Sequence, residues 1–76
     1  MALLQEELAH PTQPSRVRLS VFPHEGGFLV TEERIGTVTV FNTLGLYGER
    51  EAAESRLRER CAELVAQRYG PTRTAA

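Results

Sequence analysis

In RVRLSVF (residues 16–22), polar and apolar side chains alternate, and this pattern is the strongest strand signal in the chain. Val17, Leu19 and Val21 fall on one face, which is the period of a half-buried β-strand. Residues 23–27 contain one proline and two glycines and predict a turn. Apolar and β-branched residues return at 28–31 and again, after Gly36, at 37–41, and residues 42–48, with two glycines, are expected to form a loop. Three consecutive antiparallel strands are therefore expected, because the connections between them are short.

The C-terminal third of the chain predicts a single long helix over residues 49–69. The helix would present one apolar stripe at helical spacing: Ala53, Leu57, Cys61, Leu64 and Val65. Gly70 and Pro71 then form a stop signal. The predicted fold class is α+β, a three-stranded antiparallel meander covered on one face by this helix. The sheet face under the helix would carry the residues Val17, Leu19, Val21, Phe28, Val30, Val38 and Val40.

The N-terminal 15 residues are expected to lie outside this βββα domain, which would span residues 16–70. Residues 1–9 could form one or two helical turns, either frayed or docked, with Leu3, Leu4 and Leu8 on one side. The prolines at 11 and 14 then favour an extended linker. Residues 71–76 are predicted to be a disordered tail.

Charge and composition limit the classes of function. The 76 residues carry 9 basic and 10 acidic side chains, all of them Arg and Glu, and the pI is near 6.1. This balance argues against general binding to a phosphate backbone, which usually requires a basic surface. Neither a membrane span nor a signal peptide is expected from the sequence, and a single cysteine fits a reducing compartment. A cytoplasmic location is expected.

The residues that most often carry catalysis are few and scattered. His10, His24 and Cys61 lack metal-ligand spacing, and the adjacent Glu32 and Glu33 should point to opposite faces of a strand. Cys61 falls on the helix stripe expected to be buried, where thiols are usually unreactive. The sequence therefore predicts a protein that is not an enzyme and uses no metal and no cofactor.

Three large apolar residues are expected on the sheet face that the helix leaves uncovered. Phe22, Leu29 and Phe41 would lie there among Arg16, Arg18 and several threonines. Either the N-terminal leucines or another chain should cover such a patch. These five residues are the predicted partner-binding site of a small regulator, inhibitor or assembly factor. Its partner would be another protein, with a homodimer expected, bound through a sheet edge or this sheet face.

Two families resemble parts of this pattern. Residues 26–30, residues 34–37 and a long helix that ends near Tyr69 are similar to a WGR domain, whose Trp-Gly-Arg signature falls on residues 32–34 with only Arg34 matching. WGR domains accompany polymerases that respond to DNA ends. The resemblance implies an alternative function, nucleic-acid contact through Arg16, Arg18 and Arg34.

The second resemblance is to HicB-type antitoxins. It rests on a strand, a Pro/Glu/Gly-Gly turn at 23–27, a second strand, the glycine at 36, a third strand, and the Glu-Ala-Ala at the start of the helix. That family binds and blocks a small toxin, so this resemblance implies a protein partner.

Overall fold

The computed structural model describes residues 1–71 and shows one antiparallel sheet with a helix on one face. The strands are β1 (Leu4–Ala9), β2 (Arg16–His24), β3 (Gly27–Ile35), β4 (Val40–Tyr47) and β5 (Gly70–Pro71), and helix α1 spans Arg50–Ala66. Their order across the sheet is β4-β3-β2-β1-β5. The fold is thus α+β with an antiparallel sheet and one C-terminal helix, as the sequence predicts, but the sheet has five strands rather than three.

The N-terminal segment accounts for one of the additional strands. The prediction of a short helix over residues 1–9 is wrong, because residues 4–9 pair antiparallel with β2 from Leu4 opposite Val21 to Ala9 opposite Arg16. A nine-residue helix is marginal in isolation. The sheet instead offers this segment a backbone ladder with β2 along all six residues and a buried site for Leu8, which is 1% exposed. The sheet therefore includes residues that the sequence analysis placed before the domain.

The third predicted strand lies later in the chain than expected. Residues 36–39 connect two strands, whereas β4 runs through Asn42 and Gly45, so the loop predicted over residues 42–48 is wrong. The register between β3 and β4 shifts at Leu44, so that Val30 faces Gly45 and Thr31 faces Thr43. A glycine inside a strand often marks such a bulge.

The β2–β3 hairpin confirms the predicted turn and narrows it to two residues. His24 pairs with Gly27, and Glu25 and Gly26 between them have φ of 46° and 80°. Two successive positive φ angles are typical of the type I′ turn, whose twist matches that of the flanking strands. The strands therefore continue through Pro23 and His24 to the tip of the hairpin.

Helix α1 ends at Ala66, before the predicted stop at Gly70. Arg68 adopts a left-handed backbone with φ of 76°. The N–H of Tyr69 donates to the Leu64 carbonyl (3.0 Å), and the N–H of Arg68 donates to the Val65 carbonyl (3.0 Å). These two bonds form a Schellman motif, in which glycine usually occupies the left-handed position. The reversal returns Tyr69 to the core and leads the chain into β5.

The core lies between α1 and the sheet face that we call the inner face. It contains the following buried residues: Leu8, Val17, Leu19, Val21, Val30, Ala53, Leu57, Leu64 and Tyr69. Phe28 and Cys61 pack against this cluster. Val38 and Val40, predicted to belong to it, are 74% and 47% exposed because residue 38 precedes β4 and residue 40 begins it at the sheet edge. Of the predicted tail, Pro71 belongs to β5, and residues 72–76 lie outside the described residues.

Candidate partner-binding surface

The sheet face opposite α1, here called the outer face, carries a row of apolar side chains. Phe22 pairs with Leu29 across the β2–β3 ladder, and Leu29 pairs with Leu46 across the β3–β4 ladder. The backbone N–H of Leu3 donates to the Val21 carbonyl (2.8 Å), which places Leu3 beside Phe22 at the other end. This apolar row, Leu3-Phe22-Leu29-Leu46, crosses the sheet from β4 to the residue before β1.

A polar row follows next on the outer face. Ser20 faces Gln5 on one side and Thr31 on the other, and Thr31 faces Thr43. Ser20 and Thr31 are buried although no helix covers them, because both are small and lie between larger neighbours. The Gln5 Nε2 donates a hydrogen bond of 3.1 Å to the Ser20 hydroxyl. This row separates the apolar row from the charged groups.

The third row of the outer face is charged and ends in an aromatic ring. Arg18 contacts Glu33 (3.3 Å) on β3 and Glu7 (3.6 Å) on β1. Arg16 also reaches Glu7, at 3.1 Å. Phe41 occupies the β4 end of the row, opposite Glu33, and is 58% exposed. Both arginines therefore already contact a carboxylate within the chain.

The structure brings together most of the predicted site. Phe22 and Leu29 are direct cross-strand partners, and Arg16 and Arg18 lie on the same face of the sheet. Phe41 is on that face too, but the polar row separates it from Phe22 and Leu29. Leu46, which is 59% exposed, was assigned to a loop and so was missed. Of the N-terminal leucines, Leu8 enters the core and Leu4 packs against it, whereas Leu3 lies beside Phe22 at the far end of the row from Leu46 and leaves Leu46 exposed.

Among residues 1–71, no strand pairs with the outward side of β4. Every residue from Gly36 to Gly48 is uncharged, and this is the longest uncharged stretch of the chain. Val40, Phe41 and Leu46 are exposed on it. An edge strand presents unpaired backbone groups, and proteins usually protect it with charges, prolines or a covering segment.

The opposite edge of the sheet is better protected. There, β5 pairs with Leu8 and Ala9 of β1, and β1 itself carries Glu6 and Glu7. The β5 strand is only two residues long and ends in Pro71, which has no N–H to offer. The two edges therefore differ, and β4 is the one suited to pairing with another chain.

The third arginine of the predicted nucleic-acid alternative lies on the other side of the sheet. Arg34 is on the inner face, where its Nε is 3.4 Å from Glu32 and its guanidinium donates to the Tyr69 hydroxyl (3.4 Å). Arg34 and the pair Arg16 and Arg18 therefore cannot contact one flat ligand together.

A buried ion pair connects the sheet to α1. Glu32 is 3% exposed, and its carboxylate accepts hydrogen bonds from Arg60 at 2.6 and 3.4 Å. Burial raises the pKa of Glu32, but the hydrogen bonds and charge of Arg60, together with Arg34, more than offset it and lower the pKa overall. Sequence reasoning assigned Glu32 no structural role. Two features of the sequence could have indicated the pair: the alternation of β3, which turns Glu32 inward, and the apolar stripe of α1, which shows the side of the helix that faces the sheet.

A groove of about 430 Å³ lies between β1 and α1. Its lining is mostly apolar, and Glu6 and Arg58 are its two charged side chains. The lining residues are Leu4, Glu6, Leu57, Arg58, Cys61, Ala62 and Val65. Cys61 is only partly buried there. Burial, together with the charge of Glu6, raises the pKa of its thiol. The thiolate that nucleophilic chemistry needs is therefore disfavoured at this position.

Neither a metal site nor a spanning helix is present in the part of the chain that the structure describes. No three His, Cys, Asp or Glu side chains among residues 1–71 are grouped so that they could hold a metal ion. No helix in that range combines the length and hydrophobicity needed to cross a membrane. Comparison with known proteins gives no match to a family model, to a characterised protein or to a solved structure.

Proposed function

We propose that this chain is a small protein-binding module without enzymatic activity, which acts as a regulator, inhibitor or assembly factor. Its binding surface comprises the β4 edge and the adjoining outer face of the sheet. The partner adds a strand to β4 and packs side chains against the apolar row.

The open β4 edge is the observation that carries this proposal. Eight residues of strand, from Val40 to Tyr47, present a backbone edge with no charged side chain, and the opposite edge is partly covered. A bulge at Leu44 twists this edge, which is one way of limiting indiscriminate pairing. The edge therefore favours a partner that matches its irregular register over any extended peptide.

The outer face supplies the side-chain part of the surface. The apolar row reaches β4 at Leu46, so a strand added there would extend the row by one further position. The charged row lies on the far side of the polar row, and Phe41 forms its exposed end. Main-chain bonds would give the affinity, whereas the side chains flanking the edge would select the partner.

Nucleic-acid contact, the alternative, has weaker support in the geometry. Arg16 and Arg18 contact Glu7 and Glu33 within the chain, and Arg34 lies on the inner face. A phosphate would have to displace these carboxylates before it could pair with the arginines. We therefore retain protein binding as the proposal.

Site-specific photo-cross-linking in the native cell tests this proposal. A photoreactive phenylalanine analogue is placed at Leu46 and, as a matched control, at Glu59, an exposed position on α1. The proposal expects a discrete protein adduct from position 46 that is missing from position 59. Equal labelling at the two positions, or no adduct from position 46, would contradict it.

A further inference from the structure

The β4 edge also indicates what kind of chain it pairs with. Resting on the function just proposed, we infer that its partner is a second copy of this protein, which joins through an antiparallel β4–β4 pair about a two-fold axis. The two five-stranded sheets then form one continuous sheet.

Charge is the first argument for a second copy. When two identical strands pair about a two-fold axis, a charged side chain on one strand approaches the same residue, or one close to it in sequence, on the other. Like charges on such a strand would therefore repel each other. The segment from Gly36 to Gly48 has no charged residue and therefore imposes no such repulsion. By contrast, self-pairing of β1 would bring Glu6 and Glu7 close to their copies, and β5 already occupies part of that edge.

The bulge provides the second argument. Residues five apart on a regular strand point to opposite faces. The extra residue at Leu44 instead places both Phe41 and Leu46 on the outer face, opposite Glu33 and Leu29 respectively. An antiparallel pair centred between Thr43 and Leu44 then sets Phe41 of each copy across from Leu46 of the other. The two bulges meet at the axis, where Thr43 on the outer face lies opposite Leu44, which packs against the core.

This pairing covers the most exposed apolar side chains of the strand. Phe41 is 58% exposed and Leu46 is 59% exposed in the single chain. Each would gain an apolar cross-strand neighbour, and the two-fold axis makes that contact twice. The apolar rows of both copies would then lie on one shared face, available to a further partner.

Disulfide trapping tests the register directly. In a Cys61→Ser background the chain has no other cysteine. Thr43→Cys then brings the two introduced thiols together next to the axis, within the Cα separation that a disulfide tolerates. Glu59→Cys on α1 is the control. Covalent dimer from Thr43→Cys under mild oxidation, with Glu59→Cys remaining monomeric, is the expected result. Failure of Thr43→Cys to cross-link faster than the control overturns the inference.

Sedimentation equilibrium supplies a second readout that needs no cysteine. The chain is expected to sediment at twice its mass of 8.5 kDa at about 100 µM. Phe41→Lys together with Leu46→Lys should weaken the dimer at least about tenfold, because like charges would then meet across the axis. Val65→Lys, at an exposed apolar position on α1, should leave it unchanged. A wild-type monomer, or equal effects of the two variants, overturns the inference. If position 46 nevertheless cross-links to a different protein in the cell, the proposed function survives this result.

Discussion

Replacement of Arg60 by methionine should destabilise the fold by about 3 kcal/mol. Arg60 supplies two of the contacts to Glu32, at 2.6 and 3.4 Å, and its loss leaves only Arg34 at 3.4 Å. Removal of one partner from a buried pair typically costs about 3–5 kcal/mol. Since Arg34 remains and the Arg60 side chain is 19% exposed, the lower end of that range applies.

The loss should be large relative to the total stability. Domains are stable by roughly 0.05–0.15 kcal/mol per residue, which gives about 4–11 kcal/mol for a chain of 76 residues. A loss of about 3 kcal/mol should lower the melting temperature on the order of 15 °C. Urea and thermal unfolding followed by circular dichroism at pH 7 would measure both quantities.

Two further variants identify the cause of that loss. Arg56→Met removes an exposed pair with Glu59 and should cost less than about 0.5 kcal/mol. Glu32→Leu combined with Arg60→Met replaces the buried ions with apolar groups and should recover most of the lost stability. If Arg60→Met cost no more than Arg56→Met, or if the double variant were no more stable than Arg60→Met, the buried pair would not be the cause of the loss.

Three other perturbations have definite expected outcomes. The lowered pKa of Glu32 means that its contribution to stability is complete above the ordinary glutamate value of about 4.3 and is lost as the pH falls through the folded-state pKa. Urea midpoints measured from pH 6 down to pH 3 should therefore fall less steeply for Glu32→Gln than for the wild type, and parallel curves would contradict this. Arg68→Gly should stabilise the fold by about 0.5–1 kcal/mol, because φ at this position is 76° and glycine adopts this conformation without strain. As a control, Arg58→Gly inside the helix should destabilise the fold by about 1 kcal/mol. A lower melting temperature for Arg68→Gly than for the wild type would refute the first expectation. Gly45→Ala should lower the free energy of unfolding by about 1–2 kcal/mol, since the added Cβ would lie 2.9 Å from the Tyr47 ring. The loss should be smaller in a Tyr47→Ala background, where the ring is absent. Equal losses in both backgrounds would count against this contact.

The strongly patterned parts of the fold could be predicted from the sequence. Alternation over residues 16–22 predicts β2, and Val17, Leu19 and Val21 are fully buried as expected. The helix, the β2–β3 hairpin and the presence of Phe22 and Leu29 on the outer face follow from local periodicity and turn chemistry. In each of these cases, neighbouring residues contain enough information to choose the structure.

The remaining features depend on contacts that local patterns do not encode. Residues 4–9 form a strand because the edge of β2 is free, so tertiary pairing overrides a weak helical preference. Gly45 looks like a loop residue, yet the Tyr47 ring lies against it within a strand. The Glu32–Arg60 pair joins residues 28 positions apart, and only the packing of α1 on the sheet reveals it. The sequence predicts a loop at Leu46 because the glycines at 45 and 48 interrupt the strand pattern.

Hydrogen exchange along β4 reports whether a second chain is paired with this edge. In a single chain, about half of the amides of an edge strand point away from the sheet and should exchange readily. If a second copy pairs with β4, exchange within residues 40–47 slows as protein concentration rises from about 5 µM to about 500 µM, while exchange in α1 stays unchanged. Exchange in β4 that is fast and independent of concentration would contradict the claim that another copy of the chain occupies this edge.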